Sequence, residues 1–149
     1  MAGLLGAVVA AVVRVRRVTI EGDSMGPALL PGDRLLVMPT RRPRPGDVVA
    51  VTHPWYPGRL LVKRVAAVDE GDGRITVVGD NRSASTDSRD FGPVGRGSVV
   101  GRAVYRYAPS GREGLLRRRP RRPSAAAWHG RRPGRDAGPV EWGGPRPSP

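Results

Sequence analysis

The sequence predicts a mostly-β fold. Its central part contains short runs rich in valine, separated by Gly, Pro and Asp, a pattern typical of strands and turns. No long segment repeats apolar residues at the spacing of a helix. The 149 residues suffice for one domain, but 21 Gly and 16 Pro are too many for a compact fold throughout, so part of the chain is predicted to be disordered.

Six strands are predicted, at residues 15–20, 34–38, 47–52, 60–68, 75–78 and 99–107. Turn signals separate them, namely Pro31-Gly32-Asp33, Pro45-Gly46-Asp47, Pro57-Gly58 and Glu70-Gly71-Asp72-Gly73. The last of these suits a tight hairpin. A single helical turn is predicted near residues 27–30. The folded unit is therefore expected to span residues 15–109.

The two ends of the chain differ from this central part. Residues 1–14 form a short apolar segment, whose uncharged stretch of 11 residues would rise about 16 Å as a helix, against about 30 Å for the core of a bilayer. Two interpretations stay open for it: a truncated membrane anchor, or a buried first element of the domain. Residues 110–149 are rich in Arg, Pro and Gly and are predicted to be a disordered basic tail.

Composition excludes several kinds of chemistry. Cysteine is absent, so disulfides, thiolate metal sites and a cysteine nucleophile are excluded. The only histidines are His53 and His129, which argues against a histidine metal cage. These counts therefore predict no thiolate and no multi-histidine metal site. The 26 cationic residues are 25 arginines and one lysine, Lys63.

Ser24 is the candidate nucleophile, because it lies in a turn-forming segment that starts at Gly22 and could leave backbone N–H groups free for an oxyanion. A serine hydroxyl needs a base to take its proton. His53 is one candidate, in a turn-rich loop. Lys63 is the other: it lies in an apolar strand, burial lowers a lysine pKa, and arginine could not replace it in this role.

A loop with alternating charges follows the strand at 75–78. It begins Gly79-Asp80-Asn81-Arg82 and continues through Ser85, Asp87, Ser88 and Arg89. One interpretation is a solvated loop with weak surface ion pairs. The other is a rigid loop that holds a hydroxyl beside the base.

Four segments together resemble the bacterial type I signal peptidases, which are Ser/Lys endopeptidases. They are residues 22–33, 45–49, 63–65 and 79–92, and the resemblance runs from about residue 18 to residue 107. It implies a compact β-barrel catalytic core and a Ser/Lys reaction that needs no metal and no organic cofactor. It also implies roles for individual residues: Ser24 as nucleophile, Lys63 as general base, Ser85 as the hydroxyl that orients the lysine amine, and Arg64–Asp80 and Asp87–Arg89 as structural ion pairs.

The chain departs from the family pattern in two places. Gly22 stands where some members have a serine that assists the oxyanion hole, so the hole would depend mainly on the N–H of Ser24. Only 15 residues separate Lys63 from Gly79, which leaves no room for the large second domain of some members. Self-cleaving SOS-repressor proteases share the dyad but lack the Gly-Asp-Asn-Arg loop.

The resemblance implies cleavage of leader peptides after small residues, with an extended precursor polypeptide as substrate. It also implies association with the cytoplasmic membrane and a catalytic domain on its outer side. An alternative within the family is a cytoplasmic protease that trims one precursor, such as nickel-type superoxide dismutase. An alternative of another class is non-catalytic binding of nucleic acid or an anionic surface by the basic tail; nucleic acid is the less favoured partner.

Overall fold

A computed structural model describes residues 14–119 of the chain. The expectations for residues 1–13 and 120–149, including the apolar segment and most of the basic tail, lie outside the described residues. Within them, no helix is long and apolar enough to cross a membrane.

The mostly-β prediction is confirmed. The strands are β1 (Arg16–Thr19), β2 (Arg34–Met38), β3 (Val48–Thr52), β4 (Leu60–Val68), β5 (Ile75–Val78), β6 (Val99–Ala108) and β7 (Gly114–Leu115). A short helix, α1 (Ser88–Phe91), and two 3-10 turns (Arg82–Ala84 and Arg96–Ser98) complete the elements. The valine runs account for the six longer strands, since β-branched side chains suit a pleated surface.

All strands lie in one antiparallel sheet, in the order β1-β2-β6-β3-β4-β5, with β7 paired to β6. The sheet does not close into the expected barrel, because β1 and β5 are the two ends of this order and do not pair with each other. The loops that follow these strands meet instead: Asn81 N donates to Ser24 O at 2.9 Å. This junction between the two ends of the sheet is where the candidate site lies.

Strand β3 is buried on both faces and divides the core into two clusters. One face contributes Val48 and Ala50 to a first cluster, and the other contributes Val49 and Val51 to a second. The first cluster also contains Ile20, Met25, Leu29, Leu35, Val37 and Ala103, and the second contains Val65, Ile75, Val77 and Val94. Apolar side chains thus pack against both faces of β3. Strand β4, which carries Lys63, pairs with β3 along the whole length of β3.

The predicted boundaries of the strands are close to the observed ones, with one larger difference. The structure has one further strand, β7 (Gly114–Leu115), in the segment after residue 109. Leu116 packs against the first cluster and its N–H donates to Val104 O at 2.9 Å. These contacts offset the conformational entropy that the segment loses when it becomes ordered, although its composition alone predicts disorder.

Candidate active site

Ser24 lies in the loop between β1 and β2, which is held closed at its base. Ile20 N donates to Asp33 O at 2.8 Å, and Gly32 N donates to Ile20 O at 2.8 Å. Inside the loop Met25 and Leu29 are each only 1% exposed, and Leu29 N donates to Met25 O, which gives one helical turn. Burial of Met25 therefore fixes the residue next to Ser24.

Lys63 lies on β4, directly opposite Val49 of β3. Residues opposite one another on antiparallel strands share a face, so Lys63 points to the side of the second apolar cluster. It is 3% exposed. Its Nζ lies 2.7 Å from Ser24 Oγ, within hydrogen-bond distance. The structure thus brings together the two residues that the sequence singled out.

The surroundings of Lys63 favour its neutral form. Burial is the largest effect and lowers the pKa of Lys63 from its ordinary value. The negative charges of Asp87 and Asp90 act in the opposite direction, and the positive charge of Arg89 adds to the lowering. Removal from water outweighs the nearby carboxylates, and the amine is therefore a better proton acceptor at neutral pH than an exposed lysine.

Asp87 is the centre of the loop that follows β5. Its fully buried carboxylate accepts hydrogen bonds from Gly79 N at 2.8 Å, from Ser85 Oγ at 2.7 Å and from the Nε and Nη2 of Arg89 at 2.8 and 2.6 Å. Burial acts to raise the pKa of Asp87, but these hydrogen bonds outweigh it and hold that pKa well below its usual range. Asp87 also caps α1 by accepting from Arg89 N.

Ser85 donates its hydroxyl proton to Asp87. No hydrogen bond joins Ser85 to Lys63 among the described contacts. The lysine-orienting role of Ser85 stays a prediction. Gly79 is what allows the two serines to come near the same point: an added Cβ there would lie 2.5 Å from Ser24 O and would overlap the Ser85 hydroxyl. The sequence analysis placed Gly79 at the start of the charged loop but assigned it no packing role, although a glycine at the end of a strand is a signal for close backbone approach.

The second predicted ion pair, Arg64–Asp80, is bidentate and largely buried. Arg64 Nε and Nη2 donate to the two carboxylate oxygens of Asp80 at 2.8 and 2.7 Å. The remaining Nη1 donates to Gly46 O at 2.9 Å. The guanidinium thereby links β4, one residue after Lys63, to the start of the loop at 79–92.

His53, the alternative base, has other contacts. Its Nδ1 accepts a hydrogen bond from Trp55 N at 3.1 Å, and its ring packs edge-on against Tyr56. Burial, followed by the positive charges of Arg59 and Lys63, lowers the pKa of His53. The described contacts give Ser24 a hydrogen bond to Lys63 and none to His53, so the geometry favours the lysine. Trp55 and Tyr56 themselves are exposed.

The backbone around Ser24 leaves a donor and space beside the hydroxyl. Among the described hydrogen bonds, the N–H of Ser24 has no acceptor, which is what an oxyanion hole requires. Gly22 has no atom within 4 Å of an added Cβ. An open surface depression of about 770 Å³ lies next to this segment and is lined by residues that include Asp23, Pro27, Asn81 and Arg82, but not by Ser24 or Lys63.

The described residues contain no group of three or more His, Asp or Glu side chains that could hold a metal ion. The chemistry that this arrangement offers is a hydroxyl beside a buried amine, with a free N–H for developing negative charge.

Comparison with known proteins identifies the family. The family model "Signal peptidase, peptidase S26" matches residues 1–73 and 69–108. Subunit 2 of the mitochondrial inner membrane protease of Schizosaccharomyces pombe is 33% identical over 121 residues, which cover 66% of this chain and 67% of that protein.

Two further relatives agree with this match. The probable signal peptidase I-1 of Synechocystis is 29% identical over 144 residues, covering 65% of this chain and 73% of its own. Subunit 1a of the mitochondrial ATP-independent inner membrane protease of Arabidopsis thaliana is 37% identical over 93 residues, covering 48% of this chain and 55% of its own. The chain is therefore a peptidase and belongs to the signal peptidase family, peptidase S26.

Proposed function

We propose that this chain is a serine endopeptidase that removes leader peptides, with Ser24 as nucleophile and Lys63 as general base. The observation that carries the proposal is the contact of 2.7 Å between Lys63 Nζ and Ser24 Oγ, made by a lysine that is 3% exposed. A nucleophile within hydrogen-bond distance of a base whose pKa is lowered by burial is the arrangement that covalent catalysis needs.

In the proposed reaction, neutral Lys63 accepts the proton of Ser24 while Ser24 Oγ attacks the scissile carbonyl carbon. The N–H of Ser24 donates to the oxyanion. The tetrahedral intermediate then collapses: the C–N bond breaks, the protonated Lys63 gives its proton to the leaving amine, and an acyl-enzyme remains on Ser24. A water molecule, deprotonated by Lys63, releases the acyl group and restores the serine.

The loop at 79–92 supports this chemistry by fixing Ser85. Because Ser85 donates its proton to Asp87, the lone pairs of its oxygen are free to accept a hydrogen bond. Asp87 is itself held by Arg89 and by Gly79 N, so it cannot turn away. We infer that Ser85 accepts from the Lys63 amine during the reaction and aims the nitrogen lone pair at Ser24.

The substrate is an extended precursor polypeptide with small residues at the first and third positions before the cut. Strands β1 and β5 end the sheet, and an edge strand can pair with an added peptide. We infer association with the cytoplasmic membrane, with the catalytic domain on its outer side. The mitochondrial relatives named above are inner-membrane proteases, which supports a membrane location but not this orientation.

The test uses the full chain and a secreted precursor with Ala at both positions before the cut. We expect cleavage by the wild type, and a loss of at least about 1,000-fold with Ser24→Ala and with Lys63→Arg. A precursor with a bulky residue at the position before the cut serves as the substrate control. Cleavage at the wild-type rate by either variant would overturn the assignment.

The location is tested separately, by fractionation of cells that produce the full chain. Pelleting with membranes and digestion by protease added from the outer side support leader processing there. Recovery of active enzyme in the soluble cytoplasmic fraction would contradict it and favour the trimming of a cytoplasmic precursor.

A further inference from the structure

Two turns with the same sequence, Pro-Gly-Asp, have the same structure. In the first, Asp33 N donates to Leu30 O at 3.0 Å, and Leu30 N donates back to the Asp33 carboxylate at 2.9 Å. In the second, Asp47 N donates to Arg44 O at 3.0 Å, and Arg44 N donates to the Asp47 carboxylate at 2.8 Å. Gly32 and Gly46 both have a φ of 90°, which favours glycine at this position.

Each turn also pairs with one other segment of the chain through two backbone hydrogen bonds. Gly32 N donates to Ile20 O, and Ile20 N donates to Asp33 O. Gly46 N donates to Val65 O, and Val65 N donates to Asp47 O. Ile20 lies four residues before Ser24, and Val65 lies two residues after Lys63. One turn therefore supports the nucleophile and the other supports the base.

Arginines from the C-terminal part of the fold hold the first turn. The Asp33 side chain is 1% exposed and receives Arg106 Nη1 at 3.0 Å and Arg112 Nη2 at 3.2 Å on the same oxygen. Arg106 Nη1 also donates to Ala28 O at 3.2 Å, inside the Ser24 loop. The Nε of Arg106 donates to Arg112 O, which joins β6 to the segment that follows it.

The second turn is held from the same segment. The Asp47 side chain is 3% exposed and receives Arg118 Nε at 2.8 Å, with Arg102 Nη1 more distant at 3.8 Å. Arg119 N donates to Gly46 O at 3.3 Å, the oxygen that also accepts from Arg64. The segment 112–119 thus contacts both turns, and it lies beyond residue 108, where the match to the family model ends.

We propose that residues 112–119 are a brace that sets the position of Ser24 against Lys63, with Arg112 and Arg118 as positioning residues. The proposal rests on the Ser/Lys mechanism above. Its physical basis is that a buried carboxylate needs a compensating charge, and that each turn keeps its shape through that carboxylate. Loss of the arginines loosens both turns, lengthens the contact between Ser24 and Lys63, and admits water to the amine.

Two kinetic consequences separate this role from a general effect on stability. First, kcat falls while KM stays nearly constant, because the brace touches no substrate. Second, water around Lys63 weakens the burial that lowers its pKa, so the acid limb of the pH–rate profile moves to higher pH. A loss of folded protein alone would lower the amount of active enzyme without moving that limb.

The experiment compares the full chain with Arg112→Ala, Arg118→Ala and the double variant. The matched control is Arg117→Ala, because the Arg117 side chain makes no hydrogen bond or ion pair among the described contacts. Rates are divided by the concentration of active sites, titrated with a serine-reactive acylating probe. We expect the double variant to lose about tenfold in kcat with an alkaline shift of the acid limb, and Arg112→Lys with Arg118→Lys to recover part of the loss.

The brace proposal is wrong if the double variant matches Arg117→Ala in kcat and in its pH profile, or if only the active-site concentration falls. Failure of the mechanism looks different. In that case the wild type itself would show no cleavage that depends on Ser24 and Lys63, whatever the arginine variants do.

Discussion

Lys63 lies directly opposite Val49 on the neighbouring antiparallel strand, and Val49 is fully buried. This register gives the lysine its chemical character. Val49 belongs to the second apolar cluster, to which Leu61 and Val65, two residues before and after Lys63, also contribute. An amine at such a position loses much of its hydration. The neutral form is therefore stabilised relative to the charged form, and the pKa of the amine falls.

Burial of Lys63 should lower the free energy of unfolding of the protein at neutral pH. Because the folded-state pKa of Lys63 lies below its unfolded value of 10.5, the unfolded chain binds more protons between the two values. Stability due to this residue therefore falls as pH drops through that window, by at most about 1.4 kcal/mol per pH unit. We predict that Lys63→Met abolishes cleavage and raises the denaturation midpoint at pH 7. The gain should disappear towards pH 11; an equal gain at every pH would contradict the explanation.

Gly79 should be intolerant of a side chain. Gly79→Ala places a methyl group 2.5 Å from Ser24 O and in overlap with the Ser85 hydroxyl, so the loops that carry the two serines must both shift. We expect a loss of about 1–3 kcal/mol in stability and more than about tenfold in kcat. Gly58→Ala is the matched control, since nothing lies within 4 Å of its added Cβ. Equal kinetics for the two variants would show that the close approach has no role.

Gly22→Ser should increase activity. The site has room for the new side chain, and a hydroxyl there can add a second donor beside the N–H of Ser24. One oxyanion donor contributes about 2–4 kcal/mol in well-aligned sites, so a rise of several fold in kcat is a conservative expectation. Gly22→Ala separates the hydroxyl from its carbon. A rise with both variants would indicate a backbone effect and exclude the oxyanion explanation.

Arg64→Ala should be strongly destabilising. The pair with Asp80 is bidentate, and the side chains of Arg64 and Asp80 are only 6% and 15% exposed. Removal of one partner leaves a largely buried charge, for which about 3 kcal/mol is expected. Urea denaturation measures the change, with the exposed Arg74→Ala as reference. If the free energies of unfolding of the two variants differ by less than about 1 kcal/mol, water must stabilise the Asp80 carboxylate in place of Arg64.

The sequence predicted the six longer strands and the pair Ser24–Lys63. The strands could be predicted because valine runs broken by Gly, Pro and Asp are typical of strands and turns. Lys63 could be singled out because it is one lysine among 25 arginines and, unlike arginine, can lose its proton when buried. Asp87 was expected to pair with Arg89, and the structure contains that pair.

Long-range packing decided what the sequence left unpredicted. The segment around β7 has the composition of a disordered tail, but long-range contacts, among them those with Val104, Asp33 and Asp47, place it on the domain. The barrel expected from the family resemblance is absent because β1 and β5 do not pair; the loops that carry Ser24 and Asn81 meet there instead. The shared structure of the two Pro-Gly-Asp turns depends on hydrogen bonds to distant segments, and the sequence alone indicates only that each is a turn.

The most direct test of the account is the titration of Lys63 itself. Because the chain has one lysine, protein labelled with 13C at the lysine Cε gives one resonance to follow against pH. We predict a midpoint below the ordinary value of 10.5 and equal to the acid limb of kcat/KM, with Ser24→Ala as a control that keeps the amine buried. A midpoint at or above 10.5 would contradict the central claim that Lys63 is the base.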